Sequence, residues 1–215
     1  MANKEQKKKS LNTRKPTLSA PGTKINFGDN QKTGTSFAAP MVTGVIAKLI
    51  DEKPGLAGFP ELVMTSLIAS ATPVSGQGNY WDVHAGAGRV NYQKAREAVK
   101  NASRIINDSD TIGELINRQI SVEPGRRIKV VAFWFAKPST YTANSTVTPN
   151  IHTDYDLKIT TSNGSYITGS SGYTNIEYIN YNNTSNNTLK IVLNQYSAQI
   201  INDSWDYGGI TWCYE

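Results

Sequence analysis

The segment Gly34–Gly44, with the sequence GTSFAAPMVTG, constrains the fold of this chain more than any other. Gly34 permits a tight backbone, and Thr35 or Ser36 can cap a helix. Apolar residues with helical spacing follow at once, at Ala38, Val42, Val45, Ile46, Leu49 and Ile50. The segment therefore predicts a helix from Thr35 to about Asp51 with one buried side and with Ser36 at its amino-terminal end.

The position of Ser36 suits a nucleophile. A hydroxyl at the start of a helix lies at the positive end of the helix dipole, beside backbone N–H groups that have no acceptor within the helix. Both features favour negative charge on or near the serine oxygen, as required in a reaction that passes through an oxyanion. An isolated serine at such a position is more often an ordinary N-cap, so the position alone does not assign catalysis.

The same residues resemble the active-serine segment of the subtilisin-like serine peptidases, or subtilases, which is written G-T-S-x-A-x-P-x-V-x-G. The matching residues are Gly34, Thr35, Ser36, Ala38, Pro40, Val42 and Gly44. Upstream, Lys15–Gly22 resembles the family's K-P-D-[LIV]-x-A-P-G segment, with Thr17 in place of the usual acid. Downstream, His84–Tyr92 resembles its [YH]-G-x-G-x-[VI]-[ND] segment. The resemblance implies a serine endopeptidase that hydrolyses peptide bonds of a protein or peptide substrate. Ser36 would be the catalytic nucleophile, and its own backbone N–H would lie in the oxyanion hole.

The chain divides into two parts by sequence pattern. Further helices are predicted at Pro60–Ala71 and from an Asn91 cap to about Lys100, and a polar loop with a turn is predicted at Thr23–Gly34. With the resemblance, residues 1–104 are expected to be the C-terminal portion of an α/β, parallel-sheet subtilase catalytic domain, and residues 1–15 are expected to be disordered.

From Ile105 onward, β-branched and aromatic runs alternate with turn residues, which predicts a second domain at residues 105–215. The predicted strands are Arg118–Val122, Arg127–Ala136, Tyr155–Thr161, Ser165–Gly169, Asn175–Asn180, Thr188–Asn194 and Gly209–Tyr214. We expect an all-β, jelly-roll-like sandwich. Asp154–Ile159 resembles a segment of the β-sandwich domains appended to many bacterial subtilases.

Serine hydrolysis also needs a base, a group that orients the base, and oxyanion donors. In subtilases the Asp, the His and the oxyanion-hole Asn precede the serine, but the 35 residues before Ser36 contain no histidine. Asp29 lies outside the family's D-[ST]-G context. His84 stands where the family often has Tyr, which indicates packing, and His152 lies in the predicted sandwich.

We therefore expect this chain to be a peptidase fragment that is inactive alone. One alternative is a non-catalytic remnant or a binding module built on the sandwich. Another is an enzyme completed in trans by an upstream peptidase fragment that supplies Asp and His.

Asp154 and Asp156, with Asp203 or Asp206, are candidate oxygen ligands for Ca²⁺, which prefers several hard oxygens. Two alternate acids on one strand also fit a solvated strand end. A set of aromatic residues fits either a sandwich core or a platform for a sugar polymer. These are Trp134, Trp205, Tyr207 and Trp212.

Composition excludes several classes of protein. With 38% hydrophobic and 18% charged residues among 215, the chain can form a packed core. Its net charge of +5 comes largely from lysines near the start, without an Arg-rich or aromatic stripe, so no nucleic-acid partner is expected. No membrane span and no signal peptide are predicted, although subtilases are usually secreted, so the compartment stays open. The single cysteine, Cys213, allows no internal disulfide and is expected to be buried.

Overall fold

The structure, a computed structural model, describes residues 15–78, 80–108, 112–135, 153–172, 174–197 and 205–215. Within these ranges the chain is mostly antiparallel β-sheet with three α-helices. The helices are α1 (Thr35–Glu52), α2 (Pro60–Ser70) and α3 (Tyr92–Ala98), with 3-10 turns at Pro54–Gly58 and Val99–Asn101. The strands are β1 (Ile25–Phe27), β2 (Asn30–Lys32), β3 (Ser103–Asn107), β4 (Gly113–Ile120), β5 (Arg127–Trp134), β6 (Asp154–Thr161), β7 (Tyr166–Ser170), β8 (Ile176–Asn182), β9 (Leu189–Ser197) and β10 (Asp206–Tyr214).

The three helices lie where the sequence predicts them. Helix α2 begins at Pro60, because a proline at the first helical position has no N–H that needs an acceptor. Helix α3 is capped by the Asn91 side chain, which accepts a hydrogen bond from the Lys94 backbone N–H at 3.1 Å. The helix then continues for one 3-10 turn to Asn101. No helix in the described ranges is both long and apolar enough to cross a membrane.

Eight strands form two four-stranded antiparallel sheets, in the orders β3-β10-β5-β8 and β4-β9-β6-β7. Alternate side chains of β6 are buried, with Tyr155, Leu157 and Ile159 on the inner face, as the two-residue period of a half-buried strand requires. Both sheets contribute to one hydrophobic cluster, in which Trp134 packs edge-to-face against Tyr155 with ring centroids 5.0 Å apart. The core of this half therefore lies between the two sheets.

Helix α2 covers the other face of the first sheet. Its Ile68 and Ala69 lie in a second hydrophobic cluster with Phe133 of β5. The helix also approaches β10 closely, where the hydroxyl oxygens of Thr65 and Thr211 are 2.7 Å apart and both residues are fully buried. We call this surface the α2–β10 contact; it comprises Glu61, Thr65, Gly209 and Thr211.

A buried lysine also joins α2 to this sheet. Lys129 of β5 is fully buried, and its ammonium donates to the carbonyl oxygen of Ala71, just beyond the end of α2, at 2.6 Å. The ammonium also lies 2.5 Å from Glu215 Oε1. Burial lowers the pKa of Lys129, and the hydrogen bond that its ammonium donates to Glu215 opposes that shift. The partly negative end of α2 and the carboxylate thus hold the charge in place.

Several strand predictions were wrong in detail. Strand β4 begins at Gly113, five residues before the predicted start at Arg118, and β3 was not predicted at all. The predicted loop at Thr23–Gly34 contains the β1–β2 hairpin, which turns at Gly28 and Asp29.

Strand pairing in the first part of the chain is sparse. Among the described residues, parallel pairing between backbone segments is limited to a single bridge between Ser19 and Arg89.

Cys213 is buried, as predicted. The candidate platform aromatics divide into two pairs. Trp134 and Trp212 are core residues, whereas Trp205 and Tyr207 are exposed.

Candidate functional site

Ser36 lies in the first turn of α1, an 18-residue helix, and is exposed to solvent. No side chain caps this helix end. Within the described ranges, the Ser36 N–H has no backbone acceptor, as expected for the first turn of a helix. An exposed hydroxyl and a free N–H therefore lie together at the positive end of the dipole.

Two glycines shape the approach to Ser36. The Gly34 N–H donates to the Gly22 carbonyl at 2.8 Å, so the two segments predicted to flank the site are in contact. A Cβ at Gly22 would lie 2.8 Å from the Gly34 carbonyl oxygen and 3.1 Å from the Ala38 Cβ. Only glycine permits this close approach. The Ser36 Oγ lies 3.4 Å from where a Gly34 Cβ would be, so the hydroxyl extends back over Gly34.

The downstream segment packs against the upstream one. The Ala87 N–H donates to the Thr17 carbonyl at 3.0 Å, and the Ser19 N–H donates to the Gly88 carbonyl at 2.9 Å. Gly86 has φ of +65°, and a Cβ there would lie 2.4 Å from the Thr17 carbonyl oxygen. The three segments that resemble subtilases in sequence are thus joined by direct backbone contacts.

A polar cluster fixes the far end of α1. The Tyr92 hydroxyl and the Arg96 guanidinium both donate to the carboxylate of Glu52. These partners, Tyr92 first, lower the pKa of Glu52. Sequence reasoning missed this cluster because its members lie 40 and 44 residues apart and no local pattern connects them.

No described histidine is hydrogen-bonded to Ser36. His84 is exposed in the turn at 83–85, where its backbone N–H donates to Asp82 Oδ1 at 2.7 Å. Asp29 lies at the exposed tip of the β1–β2 hairpin. His152 lies outside the described residues. In the described part of the chain, Ser36 thus has no hydrogen-bonded base.

The predicted Ca²⁺ ligands Asp154 and Asp156 are half-buried on the outer side of β6. Asp206 is on the inner side, where it accepts hydrogen bonds from Thr153 and, at 2.9 Å, from the Tyr155 hydroxyl. Burial raises the pKa of Tyr155. Asp203 lies outside the described residues. Across the residues that can be described, no group of three or more His, Cys, Asp and Glu side chains could hold a metal ion, so Ca²⁺ binding stays a prediction.

Residues 3–88 match Peptidase_S8, the model of the subtilase family. The N-terminal part of the chain is similar to subtilases. This match includes Ser36, the upstream segment Lys15–Gly22 and the first five residues, 84–88, of the downstream segment. The later strands lie outside the match.

No curated protein is significantly similar to the chain. One similar solved structure is that of Aeromonas hydrophila PliG, a periplasmic lysozyme inhibitor of g-type lysozyme. The identity is 8% and the TM-score is 0.31, over 54% of this chain and 87% of PliG.

Proposed function

We propose that Ser36 is the nucleophile of a subtilase-type serine endopeptidase that hydrolyses peptide bonds. The observation that supports this most strongly is the exposed Ser36 in the first turn of α1, within a segment that fits the family motif. The contact between Gly22 and Gly34 supports it further, because it joins two segments that both resemble the family.

In the proposed reaction, the Ser36 oxygen attacks the scissile carbonyl and the Ser36 N–H donates to the oxyanion that forms. A histidine must first accept the hydroxyl proton, and a carboxylate must orient that histidine. The described part of this chain supplies neither to Ser36. We propose that another polypeptide segment supplies both, and that residues 1–104 form the C-terminal portion of a catalytic domain. Residues 105–215 would then be an appended β-sandwich.

An apolar groove next to α1 supports completion by another segment. The groove has a volume of about 230 Å³ and lies between the later turns of α1 and helix α2. All its lining side chains are apolar, and they include Ile46, Ile50, Met64 and Leu67. An apolar surface of this kind often marks a contact with further polypeptide. The alternative is a non-catalytic remnant, in which the groove would have no such partner.

Peptide hydrolysis tests the proposal. The full chain is assayed alone and with the amino-terminal part of a subtilase catalytic domain that ends before its active-serine segment. We expect activity only in the mixture, since loss of the base costs on the order of 10⁴- to 10⁶-fold in kcat. Ser36→Ala should abolish this activity, whereas Ser162→Ala, at another exposed serine, should not. Absence of activity in every mixture would favour the remnant.

A further inference from the structure

A second concave surface lies far from Ser36 in the sequence, on the outer side of the sheet β4-β9-β6-β7. Its volume is about 340 Å³, which falls within the range of small-ligand sites. All four strands contribute to it, so it runs across the strands. We call it the outer-face groove; its polar and aromatic lining residues include Glu114, Asn117, Lys158, Tyr166, Lys190 and Asn194.

An exposed tyrosine forms one wall of the outer-face groove. Tyr166 of β7 is 66% exposed. A Cβ at Gly169 would lie 3.2 Å from the hydroxyl oxygen of Tyr166 and 3.3 Å from the Cε2 of the same ring. Because glycine has no side chain, the tyrosine ring can lie against this position. The ring thus rests against the backbone of its own strand. Its large exposure leaves much of the aromatic surface open to a ligand.

The floor of the groove is apolar and its flanks are polar. Val192 of β9 is nearly buried, and the strand register places Asn117 opposite it on one side and Lys158 on the other. Asn117 also donates to Glu114 Oε1 at 2.8 Å. Amide, ammonium and carboxylate groups therefore offer both donors and acceptors around the floor.

The groove carries an excess of positive charge. Lys158 and Lys190 both line it, against the single carboxylate of Glu114. Within the described residues, neither ammonium lies within ion-pair distance of a carboxylate. Two ammonium groups against one carboxylate, beside an exposed aromatic ring, complement a ligand that is both anionic and able to stack.

We propose that the outer-face groove binds an oligosaccharide that carries carboxylate groups. A sugar ring stacks on Tyr166, its carboxylates pair with Lys158 and Lys190, and its hydroxyls bond to the side chains of Asn117 and Asn194. An acidic peptide fits less well. Extended peptides gain main-chain hydrogen bonds by adding to a sheet edge, whereas this groove crosses strands already paired with their neighbours.

Calorimetric titration of the full chain with hexagalacturonate tests this proposal. We expect saturable binding, with affinity weakened about ten-fold in Tyr166→Ala, the loss expected when an aromatic contact is removed. Tyr196→Ala is the matched control, because Tyr196 is 67% exposed on the same sheet but does not line the groove. A neutral galactose hexamer should bind more weakly than hexagalacturonate. Lys190→Gln should also weaken binding, which provides a second variant if Tyr166→Ala alters the strand.

Three results would overturn the proposal. The first is no binding of hexagalacturonate to the wild-type chain. The second is equal binding of hexaglutamate that persists in Tyr166→Ala, which would indicate general attraction of acidic chains. The third is an equal loss of affinity in Tyr196→Ala and Tyr166→Ala, which would show that the ring in the groove has no particular role.

Discussion

Replacing Gly209 with alanine tests the α2–β10 contact. The added Cβ would lie 2.8 Å from the carbonyl oxygen of Glu61, 3.0 Å from its carbonyl carbon and 3.2 Å from Thr65 Oγ1. Two of these atoms belong to the helix backbone and cannot rotate away. Helix α2 must therefore move by roughly half an ångström to restore ordinary contact.

That movement would disturb two further interactions. The Thr65–Thr211 hydrogen bond of 2.7 Å is fully buried, and Arg104 donates to Glu61 Oε1 at 2.8 Å. Overpacking of this kind costs about 1–3 kcal/mol in the free energy of unfolding. We expect the upper part of that range, because a weakened buried hydrogen bond adds to the steric cost.

Urea denaturation of the full chain measures the effect. With a slope of about 2 kcal/mol per molar urea, the midpoint should fall by roughly 1 M. Gly58→Ala is the matched control, since no atom lies within 4 Å of its added Cβ, and it should change stability by less than about 0.5 kcal/mol. If Gly209→Ala unfolds at the same urea concentration as Gly58→Ala, the close packing of α2 on β10 is refuted.

Two other substitutions probe the ends of the helices. Asn91→Ala removes the α3 cap and should cost about 1 kcal/mol in urea denaturation, whereas Gln93→Ala, at an exposed helical site, should cost far less. Lys129→Met leaves the Ala71 carbonyl without its donor and should cost about 1–3 kcal/mol at neutral pH. Because folding lowers the pKa of Lys129, the unfolded chain binds more protons. The free energy of unfolding of the wild type, relative to Lys129→Met, should therefore increase as pH rises from the folded-state pKa of Lys129 towards the ordinary lysine value. A stability difference that shrinks over this pH range would contradict this reasoning.

The sequence predicts local structure well where a pattern is short-range. The start of α1 follows from Gly34 and the apolar spacing after it, and the α3 cap follows from Asn91. The alternation in β6 likewise predicts which side chains are buried. In each case the deciding interaction lies within a few residues, so it can be recognised in the sequence.

Long-range contacts could not be predicted in this way. The approach of α2 to β10 depends on Gly209, which in sequence is only one of two adjacent glycines in a strand. The ion pair of Lys129 joins the middle of the chain to Glu215, and a lysine in a strand is usually solvated. Strand β3 was missed because its five residues, SRIIN, have no alternating pattern. Its place is determined by pairing with β10, about a hundred residues later.

The same limit applies to the candidate site. The motif identifies Ser36 as the proposed nucleophile, and the contact between Gly22 and Gly34 agrees with the order of the motif segments. A catalytic base is a property of three-dimensional arrangement, and no spacing within the chain predicts one near Ser36. The outer-face groove was also missed, because its residues come from four strands and each appears in sequence as an ordinary solvated position.

Fluorophosphonate labelling tests the role of Ser36 most directly, because this reagent reacts with activated serine nucleophiles. Labelling is followed by intact mass and mapped to a peptide, in the full chain alone and with the amino-terminal part of a subtilase catalytic domain added. We predict labelling at Ser36 in the mixture, a labelling rate in the chain alone that is lower by several orders of magnitude, and no labelling in Ser36→Ala. Ser36 that stays unlabelled in both samples, or label that persists in Ser36→Ala, would contradict its assignment as the nucleophile.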